Sequence, residues 1–174
     1  ALLVFLPFLR KKGSELRTVL AFTGIGAIQL GLMYVFYYNS FLLLSVQEVL
    51  IFTILTPLYV TLIDDCFSKK WNGIHLTSAT IAVGGPAVIR ANTIDSDFIT
   101  GFFVVQGANA CFAFGQVAYK RYQQKKCSNL SSLNTFAWFY LGAFFIASIT
   151  YFILGKSQYP TDLTQWLVLI WLGI

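Results

Sequence analysis

Thr18-Val-Leu-Ala-Phe-Thr-Gly-Ile-Gly-Ala-Ile-Gln-Leu-Gly-Leu-Met-Tyr-Val-Phe-Tyr-Tyr38 contains no charged residue. Its length is what one helix needs to cross a hydrocarbon layer, about 20 residues. Before it comes a basic turn, Arg10-Lys-Lys-Gly-Ser-Glu-Leu-Arg17. After it comes Asn39–Gln47, which has no positive charge. Working outward, the same alternation continues. Cations gather again at Lys69–Lys70 and at Lys120–Lys126, whereas Thr93–Asp97 has none and Gly155–Gln165 has only Lys156. Basic loops stay on the cytoplasmic side of a membrane, so this spacing assigns the loops alternately inside and outside.

Five complete crossings follow: about Thr18–Tyr38, Val46–Phe67, Ile74–Ala91, Phe98–Tyr119 and Leu133–Leu154. A partial crossing, Ala1–Leu9, precedes them, and another begins near Leu163. The chain thus reads as a piece cut within a span at each end. A signal peptide would carry its charge before the apolar run rather than after it. Runs such as Phe41–Leu44 do not alternate as barrel strands do. The expected fold class is all-α, a polytopic transmembrane helical bundle with short antiparallel connections and the lipid bilayer as its surroundings.

Composition agrees. Hydrophobic residues make up 57%, charged residues 11%, and the mean hydropathy is +0.69, whereas a soluble domain is nearer a quarter charged. The net charge of +5 is a topology signal, not a nucleic-acid footprint, because all the cations but Arg90 and Lys156 fall in the three inside loops. Cys66, Cys111 and Cys127 lack metal-ligand spacing and read as free thiols. A metal needs several ligands together, so the lone His75 reads as interfacial. Neither a catalytic set nor a metal or cofactor site is expected.

Polar side chains inside a span are costly and face a cavity or another helix. Gln106, Asn109 and Gln116, with Lys120 just beyond, fall within roughly 80° at the helical 100° per residue. Ala113 leaves room in the same stripe. Amides donate and accept, so the stripe suits either a neutral polar substrate group or interhelical hydrogen bonds. Gln29 lies mid-span with Tyr34 further outward. Trp138 and Tyr140 suit stacking on a ligand ring or simple packing. Glu48 is the acidic residue placed furthest within a span at the outer side, a coupling or gating carboxylate or an interfacial one. Asp64 and Asp65 are expected to be solvated near Lys69 and Lys70. Pro57 and Pro86 each remove a backbone hydrogen bond and should kink their spans, Pro57 at a gating position. Small residues at Gly24, Gly26 and Gly31, at Ala82, Gly84 and Gly85, and at Gly101, Gly107, Ala108 and Ala110 allow close helix approach.

A short echo links Leu16-Arg-Thr-Val-Leu20 and its Gly24-Ile-Gly26 to Leu163-Thr-Gln-Trp-Leu167 and its Leu172-Gly173. The charge pattern places these copies in opposite orientations, as in an inverted repeat.

A basic turn, a glycine-rich span, a short outer loop, a Thr-Pro kink and a second basic loop resemble the EamA-type branch of the drug/metabolite transporter superfamily. Within it the chain is similar to the carboxylate, amino acid and amine transporter group. The stretches that carry this resemblance are Val4-Phe-Leu-Pro-Phe-Leu-Arg10, Gln29-Leu-Gly-Leu-Met-Tyr34, Leu55-Thr-Pro-Leu-Tyr59 with Thr61-Leu-Ile63, Gly115-Gln-Val-Ala-Tyr-Lys-Arg121 and Ala137-Trp-Phe-Tyr-Leu-Gly-Ala-Phe144. Gly84-Gly85-Pro86 departs from the family's simpler glycine-rich span. The resemblance implies a 5+5 inverted repeat of ten helices. Residues 1–92 would then hold the end of helix 2 to helix 5, and residues 93–174 helices 6, 7 and the start of 8. It implies a bacterial inner-membrane secondary transporter, not an enzyme, working by alternating access. Its small-molecule substrate would be biotin taken inward, or a related carboxylate, amino acid or amine. Export of amino acids, amines or drug-like metabolites is the rival expectation, and a non-transport membrane enzyme or scaffold the third. The residues expected at the substrate cavity are Gln29, Tyr34, Gln106, Asn109, Gln116 and Trp138.

Overall fold

The computed structural model describes residues 2–9, 15–69, 73–74, 77–78, 96–125, 131–155 and 160–173, and every regular element among them is helical. Four helices are long and apolar enough to cross a membrane: Leu16–Ser40, Val46–Ser68, Ser96–Lys125 and Ser132–Leu154. Each matches an expected crossing to within a few residues at the ends. Leu2–Phe5 with the tight turn Leu6–Phe8 precedes them, and Leu163–Gly173 follows. The expected span Ile74–Ala91 lies almost wholly outside the described residues, with Gly84, Gly85, Pro86 and Arg90. His75, Lys70, Lys126, Cys127 and Lys156 lie outside them too.

The helices start where local chemistry tells them to. Ser45 caps the 46–68 helix, and its backbone N–H and hydroxyl both donate to a Glu48 carboxylate oxygen at 2.8 Å. This is the reciprocal capping box of Ser followed three residues later by Glu. Ser131 caps the 132–154 helix by accepting from the Asn134 N–H at 3.3 Å. Lys69 closes the 46–68 helix in the left-handed region, φ 52°, and so satisfies carbonyls at the helix end.

Large apolar side chains cover the outside: Phe152 is 85% exposed, Leu42 81% and Ile54 71%. Water would not tolerate so continuous an apolar surface; hydrocarbon does.

Packing sets the relative directions. Thr18 meets Tyr122, Gln29 meets Gly115 and Phe36 meets Gly107, so the 16–40 and 96–125 helices run antiparallel. Thr56 meets Asn109 and Asp64 meets Arg121, so the 46–68 helix runs parallel to 96–125. Gly26 meets Phe139 and Gly31 meets Ile146, so the 132–154 helix runs parallel to 16–40. These directions are the ones that the alternating loop charge requires.

The crossing of 16–40 with 132–154 is backbone on backbone. A Cβ at Gly26 would overlap the Phe139 main chain, and one at Gly142 would overlap the Thr23 carbonyl and lie 2.8 Å from the Ala27 nitrogen. Between the two glycines of the first helix the chain widens into a π-helix over Ala27–Leu32. An i→i+5 turn brings residues five apart onto one side. Gly26 and Gly31 are five apart, and both face the 132–154 helix. A Cβ at Gly31 would lie 2.7 Å from Ile146 Cβ.

Two apolar clusters bracket the middle of the bundle. One gathers Val19, Phe22, Ile25, Trp138 and Phe139. The other gathers Leu44, Val49, Phe52 and Val105. At the inner end, Arg121 grips Asp64. Its Nε and Nη2 donate to Oδ1 at 3.0 and 2.6 Å, and Nη2 donates to the Asp64 carbonyl at 2.9 Å. Lys120 Nζ stands 3.4 Å from the other carboxylate oxygen. Asp64 is therefore the partner of Arg121 and Lys120 on a neighbouring helix, a pairing the sequence reading did not name, while its side chain stays one-third exposed. A guanidinium fork matches a carboxylate better than a lysine can.

Candidate functional site

The 46–68 helix is not continuous. Val46–Thr53 and Thr56–Ser68 are separate helices joined by a turn at Ile54–Leu55. Pro57 is the cause. It sits in the first turn of the second piece, where its ring is tolerated, and it has no N–H for the carbonyl one turn before it. That carbonyl belongs to Thr53, and the Thr56 hydroxyl donates to it at 2.6 Å. The kink expected at Pro57 is present as a full break.

Asn109 of the 96–125 helix reaches into this break. Its Nδ2 donates to the Phe52 carbonyl at 2.9 Å and to Gln106 Oε1 at 3.1 Å. Its Oδ1 lies 3.0 Å from the Thr56 hydroxyl, whose single proton is shared with Thr53 O. Asn109 is 3% exposed and Gln106 is 7% exposed. One amide thus adds a second donor to the Phe52 carbonyl, which also accepts from the Leu55 N–H at 3.3 Å, and holds a second amide in place. Non-helical backbone at membrane depth is tolerated only where protein or a cavity satisfies it. Beside the break lies a cavity of about 160 Å³, lined by Met33, Tyr37, Thr53, Thr56, Ala108, Asn109 and Phe112.

The other expected residues are placed as follows. Gln29 is buried in the π-helix with its side chain laid on Gly115, where any Cβ would strike it, and its buried Oε1 has no hydrogen-bond partner among the described residues. It lies about two helical turns inward of Asn109 along the 96–125 helix. Gln116 is exposed, so the structure does not bring it to Gln106 and Asn109. Trp138 is in the inner apolar cluster with Val19, Phe22, Ile25 and Phe139, away from Gln106 and Asn109. Tyr34 faces a different space, an open cleft of about 730 Å³ between the 16–40 and 132–154 helices, whose walls include Tyr38, Tyr140, Phe144 and Tyr151. That cleft is larger, and both spaces are open and mainly apolar. The smaller cavity is distinguished by the buried Asn109 and the interrupted helix in its wall. Glu48 is engaged with Ser45 at the outer start of its helix.

Along its whole length the chain is similar to biotin transporters. It is 46% identical over 178 residues to the biotin transporter of Escherichia coli, covering all of this chain and 58% of that protein. It is 43% identical over 178 residues to the biotin transporter of Salmonella typhimurium, again covering the whole chain and 58% of the relative. With the probable biotin transporter of Pseudomonas aeruginosa it shares 43% over 173 residues, covering 99% of the chain and 60% of the relative. The chain therefore spans about three fifths of the length of these curated biotin transporters. No family model matches the chain, and no solved structure matches it.

Sequence reasoning missed Thr56, Met33, Tyr37 and the Phe52 carbonyl. A signal for Thr56 was present: a threonine just before a mid-span proline can cap the carbonyl that the proline leaves. Met33 and Tyr37 are four apart and share a helix face, but nothing in their spacing says which neighbour that face meets.

Proposed function

We propose that this chain is the greater part of a multi-pass secondary transporter that takes biotin inward across the bacterial inner membrane. The observation that carries the reading is the likeness, over the whole chain, to proteins named as biotin transporters. The Pro57 break supports it with a physical site, because a discontinuous helix clamped by buried amides is the kind of element that alternating access uses. The substrate cavity lies at the break, with Thr53, Thr56 and Asn109 in its wall, Gln106 held by Asn109 on the same helix, and Gln29 about two turns inward. Biotin has a cyclic urea for amides, an apolar ring and tail for Met33, Tyr37 and Phe112, and a carboxylate. The cavity of about 160 Å³ is below the roughly 300 Å³ at which small-molecule sites begin, so loading requires the break to open. The ten-helix inverted repeat is the proposed frame. In it, residues 1–92 belong to one half and 93–174 to the other.

The test uses the full-length protein in cells that neither make biotin nor carry another importer. Labelled biotin at nanomolar concentration is expected to enter saturably and to be displaced by unlabelled biotin. Absence of uptake by a correctly inserted protein contradicts the reading.

A further inference from the structure

Asn109 and Gln106 are both amides, yet the structure gives them different jobs. The Phe52 carbonyl can only accept, so the Asn109 atom 2.9 Å from it is the nitrogen. The same nitrogen lies 3.1 Å from Gln106, so the Gln106 atom facing it is the oxygen. The polarity of Gln106 therefore follows from a backbone group and is not a free choice between two amide orientations. Its Nε2, with two N–H donors, points away from Asn109. Among the described residues that buried nitrogen has no hydrogen-bond partner, and its side chain is only 7% exposed. Asn109, by contrast, has both N–H groups and its oxygen engaged. A buried donor pair left unmade is costly, and a site built to pair it discriminates strongly in favour of an acceptor.

Resting on the transport reading above, we infer that Gln106 is the specificity-determining donor: its Nε2 takes an oxygen acceptor of the substrate, a carboxylate or a urea carbonyl, while Asn109 only positions it. A site with this polarity selects carboxylates and ureas and rejects ammonium groups. It therefore excludes simple amines as preferred cargo. When the break opens, the substrate oxygen replaces nothing on Gln106. It fills a hydrogen-bonding position that no group among the described residues takes.

The test reverses the polarity. Gln106→Glu keeps the oxygen that Asn109 holds and turns the donor end into an acceptor. Biotin uptake by the full-length protein is measured with two analogues as competitors. In one the urea oxygen is replaced by a protonated imine, and in the other the carboxylate is replaced by an ammonium group. The wild type is expected to prefer biotin over both. In Gln106→Glu the KM for biotin should rise at least tenfold, and competition by one of the two analogues should improve at least tenfold. Which analogue gains tells whether Gln106 meets the urea or the carboxylate. A raised KM with no gain for either analogue assigns Gln106 to packing and overturns the inference. So does an unchanged KM. Should the glutamate variant fail to insert, Gln106→Met removes the donor without adding charge. It should raise the KM at least tenfold at unchanged protein level, and an unchanged KM overturns the assignment. No biotin uptake by the wild type would instead sink the transport reading itself.

Discussion

Gly142→Ala is expected to unfold the bundle at a temperature well below that of the parent, as read by thermal unfolding of the full-length protein in detergent. The added Cβ has no room. It would overlap the Thr23 carbonyl and press on the Ala27 nitrogen, and both are backbone, so no side-chain rotamer relieves the clash. Overpacking costs typically 1–3 kcal/mol and occasionally more, and a clash with main chain belongs at the upper end. Gly142→Val should leave no folded protein. Gly24 is the control, since a Cβ there meets nothing within 4 Å. Gly24→Ala should be neutral or stabilise by up to about 1 kcal/mol, the helix-propensity difference between the two residues. Equal stability of Gly142→Ala and Gly24→Ala would show that the 16–40 and 132–154 helices do not cross as described.

Asn109→Leu is expected to abolish uptake while leaving the protein inserted. The substitution strips the Phe52 carbonyl, Gln106 Oε1 and the Thr56 hydroxyl of their shared partner. Interhelical hydrogen bonds in membranes average only about 0.6 kcal/mol each, so the two that cross to the 46–68 helix amount to about 1 kcal/mol, too little to destroy the fold. The loss falls on the geometry of the break, and at least a hundredfold drop in transport rate is expected. Asn109→Asp separates size from chemistry. A carboxylate has the right shape but cannot donate to Phe52 O, so it too should fail. Uptake near the parent level in Asn109→Asp would mean that the carbonyl needs no clamp.

Much of this was legible in the sequence. Lipid demands apolar runs of one length and leaves cations on one side, so the four described spans and their relative directions could be read from residues such as Arg17, Asn39 and Lys120. Gln106 and Asn109 could be paired because three residues apart on a helix means one face. Proline's missing N–H marked the break at Pro57. Other features could not be read this way. Periodicity gives angles around one helix but not the arc that a neighbour covers, and Gln116, at the edge of the stripe, falls outside that arc. Tyr34 lies further outward than Gln29, as expected, but it lines the open cleft against the 132–154 helix, and nothing in its spacing says which neighbour it meets. The pairing of Asp64 with Arg121 joins helices far apart in sequence. Loop charge placed both at the inner end without saying that they meet. Glu48 was legible as a membrane carboxylate, but the Ser45 three residues before it, which makes a capping box, was overlooked.

The central claim is that the cavity at the Pro57 break receives the substrate. Thr53 lines that cavity, and Thr53→Cys can be made in full-length protein whose Cys66, Cys111 and Cys127 have been replaced by serine. The rate at which a small thiol reagent modifies the new cysteine is then measured with and without saturating biotin. The account predicts at least tenfold protection by biotin and none by an equal concentration of lysine. An identical rate with and without biotin, in a protein that still takes biotin up, would place the substrate elsewhere and contradict the account.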